Sequence, residues 1–175
     1  MISGPLIKWR RFVSSAVTID HSAIAHWIAN ALWESSPGAH VVGTGETATL
    51  DGRHESRLDV VVTRAGHARR TPLSIADALL VVEVASPISP VRDAEMRRAR
   101  YAGAGLSAYW IVVPEEELPT IALVALTLDA GARRYRYVAH YTTDVFDTES
   151  PWRLRLDLPA LTDRRAVLMG QPPAG

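Results

Sequence analysis

Two short hydrophobic runs, each interrupted by a single acid, set the tightest constraint on this chain. They are Leu58-Asp59-Val60-Val61-Val62 and Leu79-Leu80-Val81-Val82-Glu83-Val84-Ala85-Ser86-Pro87. Both are rich in β-branched residues and bounded by polar or turn residues, so they read as buried strands. A carboxylate inside a buried strand is costly unless a cation or hydrogen-bond donors compensate it. Side chains alternate along a strand, so Asp59 shares a face with Val61, and Glu83 with Val81 and Ala85. If the strands are neighbours facing one way, the two acids meet at one divalent cation. Mg²⁺ suits such a pair, because it takes few protein carboxylates and completes its shell with water and phosphate oxygens. The competing reading is an ion pair, Asp59 with Arg57 and Glu83 with an arginine such as Arg97.

Composition narrows the classes. The chain has 175 residues, which fits one domain over 1–175 with a sizeable core. Formal net charge is zero, so no global field favours nucleic acid or membrane and any basic patch is local. The absence of cysteine excludes disulfides and thiolate metal sites. No apolar run reaches membrane-spanning length and no signal-peptide pattern opens the chain, so the expected location is cytoplasmic. Lys8 is the sole lysine, so any chemistry needing an amine uses Lys8 or none.

Asp20 is the expected cap of an amphipathic helix from His21 to about Ser35, with Ile24, Trp27, Ile28, Ala31 and Leu32 at helical spacing. Val41-Val42 and Thr47 to Leu50 read as short strands. Asp51-Gly52 predicts a hairpin into the Asp59 strand. Asp93 to Ala104 reads as a second helix stopped by Gly105, followed by a strand over Tyr109 to Val113. Ile121 to Leu128 and Tyr135 to Tyr141 pair as a hairpin, and Trp152 to Leu156 reads as a last edge strand. The order predicts an α/β (α+β) sandwich around a mixed sheet.

These pieces, taken in order, resemble a known family. Leu58-Asp59-Val60-Val61-Val62, Leu80 through Pro87, Asp93, Tyr101-Ala102-Gly103-Ala104-Gly105 and Tyr109-Trp110-Ile111-Val112 are similar to the Uma2 (DUF820) family of the PD-(D/E)XK nuclease superfamily. The resemblance runs over about residues 20–161. It implies a restriction endonuclease-like core, with Asp59 and Glu83 as the metal-binding acids and Mg²⁺ or Mn²⁺ as cofactor. It implies an endonuclease that hydrolyses phosphodiester bonds through a metal-activated water. DNA is the expected partner, with RNA left open and a homodimer possible. Two departures matter. Leu58 stands where the family commonly has proline. The superfamily's lysine position, two residues after the second acid, is Ala85, and the lysine that relatives carry on the following helix is Arg97. Arginine keeps the charge and grips phosphate bidentately but does not act as a base.

Other residues are candidate supports. Glu46 is placed to act as a third acid, Ser86 to hydrogen-bond the site or cap the turn, and Asp93 to pair with Arg97 or favour the helix start. Tyr101 lies on the Arg97 side of its helix, and His21 starts the first helix within reach of substrate. Arg64, Arg69 and Arg70 form a candidate phosphate grip in the loop after the Asp59 strand. A second function class stays open: a weakened nuclease-fold module that binds nucleic acid or a protein without cutting. A third is a structural domain whose acids form buried ion pairs.

Overall fold

The computed structural model describes residues 17–50, 52, 54–85 and 91–172, with 91–95 as backbone alone. Ser86 and the side chain of Asp93 therefore lie outside the described residues. Helix α1 (Ile19–Ser35) buries Ile24, Ala25, Ile28, Ala29 and Leu32 along one stripe. The strands β1 (His40–Thr44), β2 (Thr47–Thr49), β3 (Glu55–Arg57), β4 (Val60–Arg64), β5 (Leu73–Ser74) and β6 (Ala78–Val84) come next. Helix α2 (Val91–Ala104) leads into β7 (Ala108–Pro114), β8 (Ile121–Asp129), β9 (Arg134–Thr142), β10 (Val145–Thr148), β11 (Leu154–Asp157) and helix α3 (Leu158–Leu168).

Six strands form the central sheet in the order β1-β4-β6-β7-β8-β9. The β6–β7 pair is parallel, with α2 in its crossover, and the other neighbours are antiparallel. This is the mixed α+β sandwich that the element order predicts. Alternation along the strands divides the interior. Val60, Val62, Leu80 and Val82 pack toward Ile24, Ile28, Leu158 and Leu161 on one face. Val61, Val81, Tyr109 and Leu126 pack toward Tyr101, Ala102 and Leu106 on the other. The valine-rich strands are thus buried on both sides, which explains their near-continuous hydrophobicity. No helix among the described residues is long and apolar enough to cross a membrane.

Three expectations are corrected. Thr18, not Asp20, caps α1: its Oγ1 accepts the His21 N–H at 3.2 Å. Asp20 is instead engaged by Arg165 of α3, whose Nε and Nη2 donate to the carboxylate at 3.1 and 3.0 Å. The expected hairpin joins β2 to β3 in a small three-stranded sheet with β5, and the Asp59 strand pairs with β1 and β6 instead. The strand near Leu156 is shorter than expected and pairs with β10 in a separate two-stranded sheet. Helix α3 was not anticipated, although Asp157 as N-cap with Pro159 in the first turn is its local signal.

Arg165 is 4 % exposed, and its Nη1 also donates to the carbonyls of Leu118 and Thr120 at 2.8 and 3.2 Å. One guanidinium thus ties α3 to the start of α1 and to the β7–β8 loop. Removing a buried hydrogen-bonded ion costs about 3 kcal/mol or more because its partners stay desolvated. Arg165→Met is expected to lose about that much stability in urea unfolding; a loss under about 1 kcal/mol would show that the clamp carries little.

Candidate functional site

Asp59 immediately precedes β4 and Glu83 lies within β6. The β4–β6 ladder ends at the pair Val60 and Val82, and Asp59 and Glu83 are the next residues beyond it on their two segments. Glu83 shares the face of Val81, covered by α2. The charge of Asp59 acts on Glu83, so the two acids meet at the end of the ladder.

Each acid is held differently. Asp59 Oδ2 accepts the backbone N–H of Val84 at 2.8 Å. His21, on the first turn of α1, places Nε2 3.3 Å from the same oxygen and 3.2 Å from the Val84 carbonyl. Both neighbours of Nε2 are acceptors, so that nitrogen carries the proton. The hydrogen bond to Asp59 is the largest cause of an imidazole pKa raised above its ordinary value, against a lowering by burial. Glu83 is 9 % exposed, and the Tyr101 hydroxyl donates to its Oε1 at 3.0 Å. Burial first, and then the charge of Asp59, push its pKa up to about 7; Arg97, Tyr101 and His21 pull the other way. Burial and the charge of Glu83 push the Tyr101 and Tyr109 phenols up as well, so both stay protonated; Tyr101 donates to Glu83, and the Tyr109 oxygen accepts from Arg97.

Arg97 is half-buried on α2, acts on Glu83 as a favourable charge, and is hydrogen-bonded with Tyr109. The structure thus brings together Asp59, Glu83, His21, Tyr101 and Arg97. Tyr109 joins them without having been anticipated. Its signal was available, because it stands opposite Val81 on the neighbouring strand and so shares the face of Glu83.

Other candidates fall elsewhere. Glu46 is exposed in the turn before β2; its carbonyl accepts the Leu58 N–H at 2.9 Å. Its side chain folds over Gly43, where an added Cβ would lie 2.8 Å from Glu46 Cγ. Gly43 is paired with Val61, so the Glu46 side chain lies over the α2-covered face of the sheet, one strand away from β4. The loop arginines stand apart from the acids. Arg64 ends β4 while Asp59 precedes it, and five residues at about 3.3 Å each separate them by ~16 Å. Arg69 and Arg70 lie further along that loop, and Arg70 is engaged by Asp77.

The donor set fits a hard divalent cation. Two carboxylates lie close together, one with its pKa raised by burial and then by the other's charge, and a cation between them relieves that repulsion. Among the described residues no group of three or more His, Asp or Glu stands at metal-binding geometry. A cation here would rest on Asp59 and Glu83 and complete its shell with water and substrate oxygens.

A family model described as "Uma2: Putative restriction endonuclease" matches residues 11–159. The chain belongs to the Uma2 family. Among solved structures, a protein from Anabaena variabilis ATCC 29413, described as "a putative nuclease belonging to DUF820", superposes with a TM-score of 0.63. The match covers 85 % of this chain and 83 % of that one at 14 % identity, and so shows a shared fold. No curated protein matches. The Uma2 assignment agrees with the resemblance carried by the Asp59 and Glu83 strands, and it makes a nuclease-like protein the coarse reading.

Glu83 fixes a pH signature. Its folded pKa of about 7 lies above the ordinary 4.5, so the native state holds a proton that the unfolded chain releases. The Glu83 contribution to stability is then full below about pH 4.5 and is lost as pH rises to about 7, by up to ~3 kcal/mol. His21, also raised, contributes a loss of the same sign. In EDTA, Glu83→Gln is expected to flatten most of the decline in urea midpoint between pH 5 and 8. An equal decline in both proteins would mean that Glu83 is not the titrating group.

Proposed function

We propose that this Uma2 chain is a divalent-metal-dependent endonuclease that hydrolyses phosphodiester bonds in DNA. The observation that carries the reading is the meeting of Asp59 and Glu83 at the end of the β4–β6 ladder, with the cationic side chain of Arg97 acting on the second acid. When bound, Mg²⁺ or Mn²⁺ would neutralise charge on the phosphoryl oxygens and lower the pKa of water. Asp59 and Glu83 would hold that ion. The Val84 N–H and His21 fix the Asp59 carboxylate through one oxygen, and the Tyr101 hydroxyl orients Glu83. Arg97 has no amine to lose, so its part is electrostatic: a guanidinium facing the phosphate oxygens as negative charge builds.

A second reading rests on Arg97 standing where relatives carry lysine. If a deprotonated amine is essential, the chain binds nucleic acid without cutting it. Cleavage of plasmid and single-stranded DNA with Mn²⁺ separates the two. Asp59→Asn and Glu83→Gln are expected to lower cleavage at least ~100-fold, and Arg97→Lys to retain or raise it. Cutting that appears only in Arg97→Lys would make the native chain a silenced nuclease; cutting that survives Glu83→Gln would sink the site. Independently of cutting, saturating Mn²⁺ is expected to raise Tm in the wild type by mass action and not in Asp59→Asn.

A further inference from the structure

The sheet row that holds Glu83 continues outward to the edge of the molecule. Glu83 stands opposite Ile111 on β7, Ile111 opposite Val124 on β8, and Val124 opposite His140 on β9. Residues paired in this way share a face, so the row forms a floor three strand spacings long, or ~14 Å. Burial declines along it. Glu83 is buried, Ile111 and Val124 are half-buried, and His140 is exposed.

The outer end of this floor is built from cationic and aromatic groups. The His140 ring lies 4.3 Å from the Tyr137 ring. The Arg98 guanidinium lies 4.8 Å from the Tyr137 centroid, and its Nη1 donates to the Tyr137 hydroxyl at 3.0 Å. Tyr137 is 45 % exposed, so this arrangement stands at the surface and not in the core. Arg98 is anchored by a neutral ring and a neutral hydroxyl, contacts that fix its position without cancelling its charge. A chain of zero net charge has to attract a polyanion by such local placement.

We infer that Arg98, Tyr137 and His140 form a nucleic-acid-binding subsite that holds the sugar-phosphate strand about 14 Å from the acid pair, along the floor of Ile111 and Val124. That span equals about four steps of a B-form strand. The occupant is a nucleic acid strand. Arg98 contacts a phosphate, with the Tyr137 hydroxyl and His140 beside it, while the half-buried aliphatic floor accepts the sugar edge. This inference rests on the endonuclease reading for its purpose, though not for its measurement.

The test is fluorescence anisotropy of the full chain in EDTA, where no cutting occurs, with a labelled 20-nucleotide single strand and the matching duplex. Arg98→Ala is expected to weaken binding ~10-fold and to reduce the slope of log K against log salt by about 1. His140→Ala, at an exposed position, is expected to weaken binding ~3-fold with an unchanged Tm. Wild-type binding that neither substitution alters overturns the proposal, as does the absence of DNA binding by the wild type. A lower Tm for Arg98→Ala with an unchanged salt slope would make Arg98 a strut between α2 and β9, and equally overturns it. Failure of the acid-pair reading registers separately, as a loss of Mn²⁺ stabilisation in a chain that still binds DNA.

Discussion

The meeting of two carboxylates at the end of the β4–β6 ladder is the constraint around which this structure is arranged. Like charges held near each other on buried strands are unfavourable, and the surrounding groups read as responses to that cost. The Val84 N–H of β6, the imidazole of His21 on α1, and the Tyr101 hydroxyl and Arg97 charge of α2 all reach the pair. They offset it only in part, since Glu83 keeps a pKa of about 7. A site left short of positive charge in this way is suited to receive a cation and an anionic substrate together, because each relieves what the other would worsen.

Burial on both faces of β4 and β6 is what makes the arrangement rigid. Val60, Val62, Leu80 and Val82 are locked against α1 and α3, and Val61 and Val81 against α2. A slip of one residue in register would turn every valine to the wrong layer and separate the acids. The hydrophobic packing therefore fixes the register, and the register fixes the site.

Much of this was legible in the residues. The two acids could be read because a lone carboxylate in a valine run has few benign explanations, and α1, the β8–β9 hairpin and the mixed sheet followed from apolar periodicity. What was not legible depended on long-range partners. Asp20 has the right chemistry for a cap, but a buried arginine far along the chain claims it, and Thr18 takes its place. The arginines after β4 are close to Asp59 in sequence, yet the strand between them carries them to the opposite end of the sheet. Tyr109 carried no mark beyond its place in a strand, and only the pairing of β6 with β7 reveals that it shares the face of Glu83. Helix α3 was hidden because its short apolar pattern follows a strand without an intervening loop.

The clamp between Arg165 and Asp20 spans 145 positions of sequence. Asp20 adjoins His21, whose ring rests on Asp59. On a ribosome that releases the chain from its N-terminus, both acids and the helix that braces them emerge well before the residue that secures that helix. The central strands can thus pair while the site is still loosely framed, and its final geometry awaits α3. Late closure of this kind couples chemical competence to synthesis through Arg165, so a chain interrupted before that residue would carry the acids without the frame that aligns them.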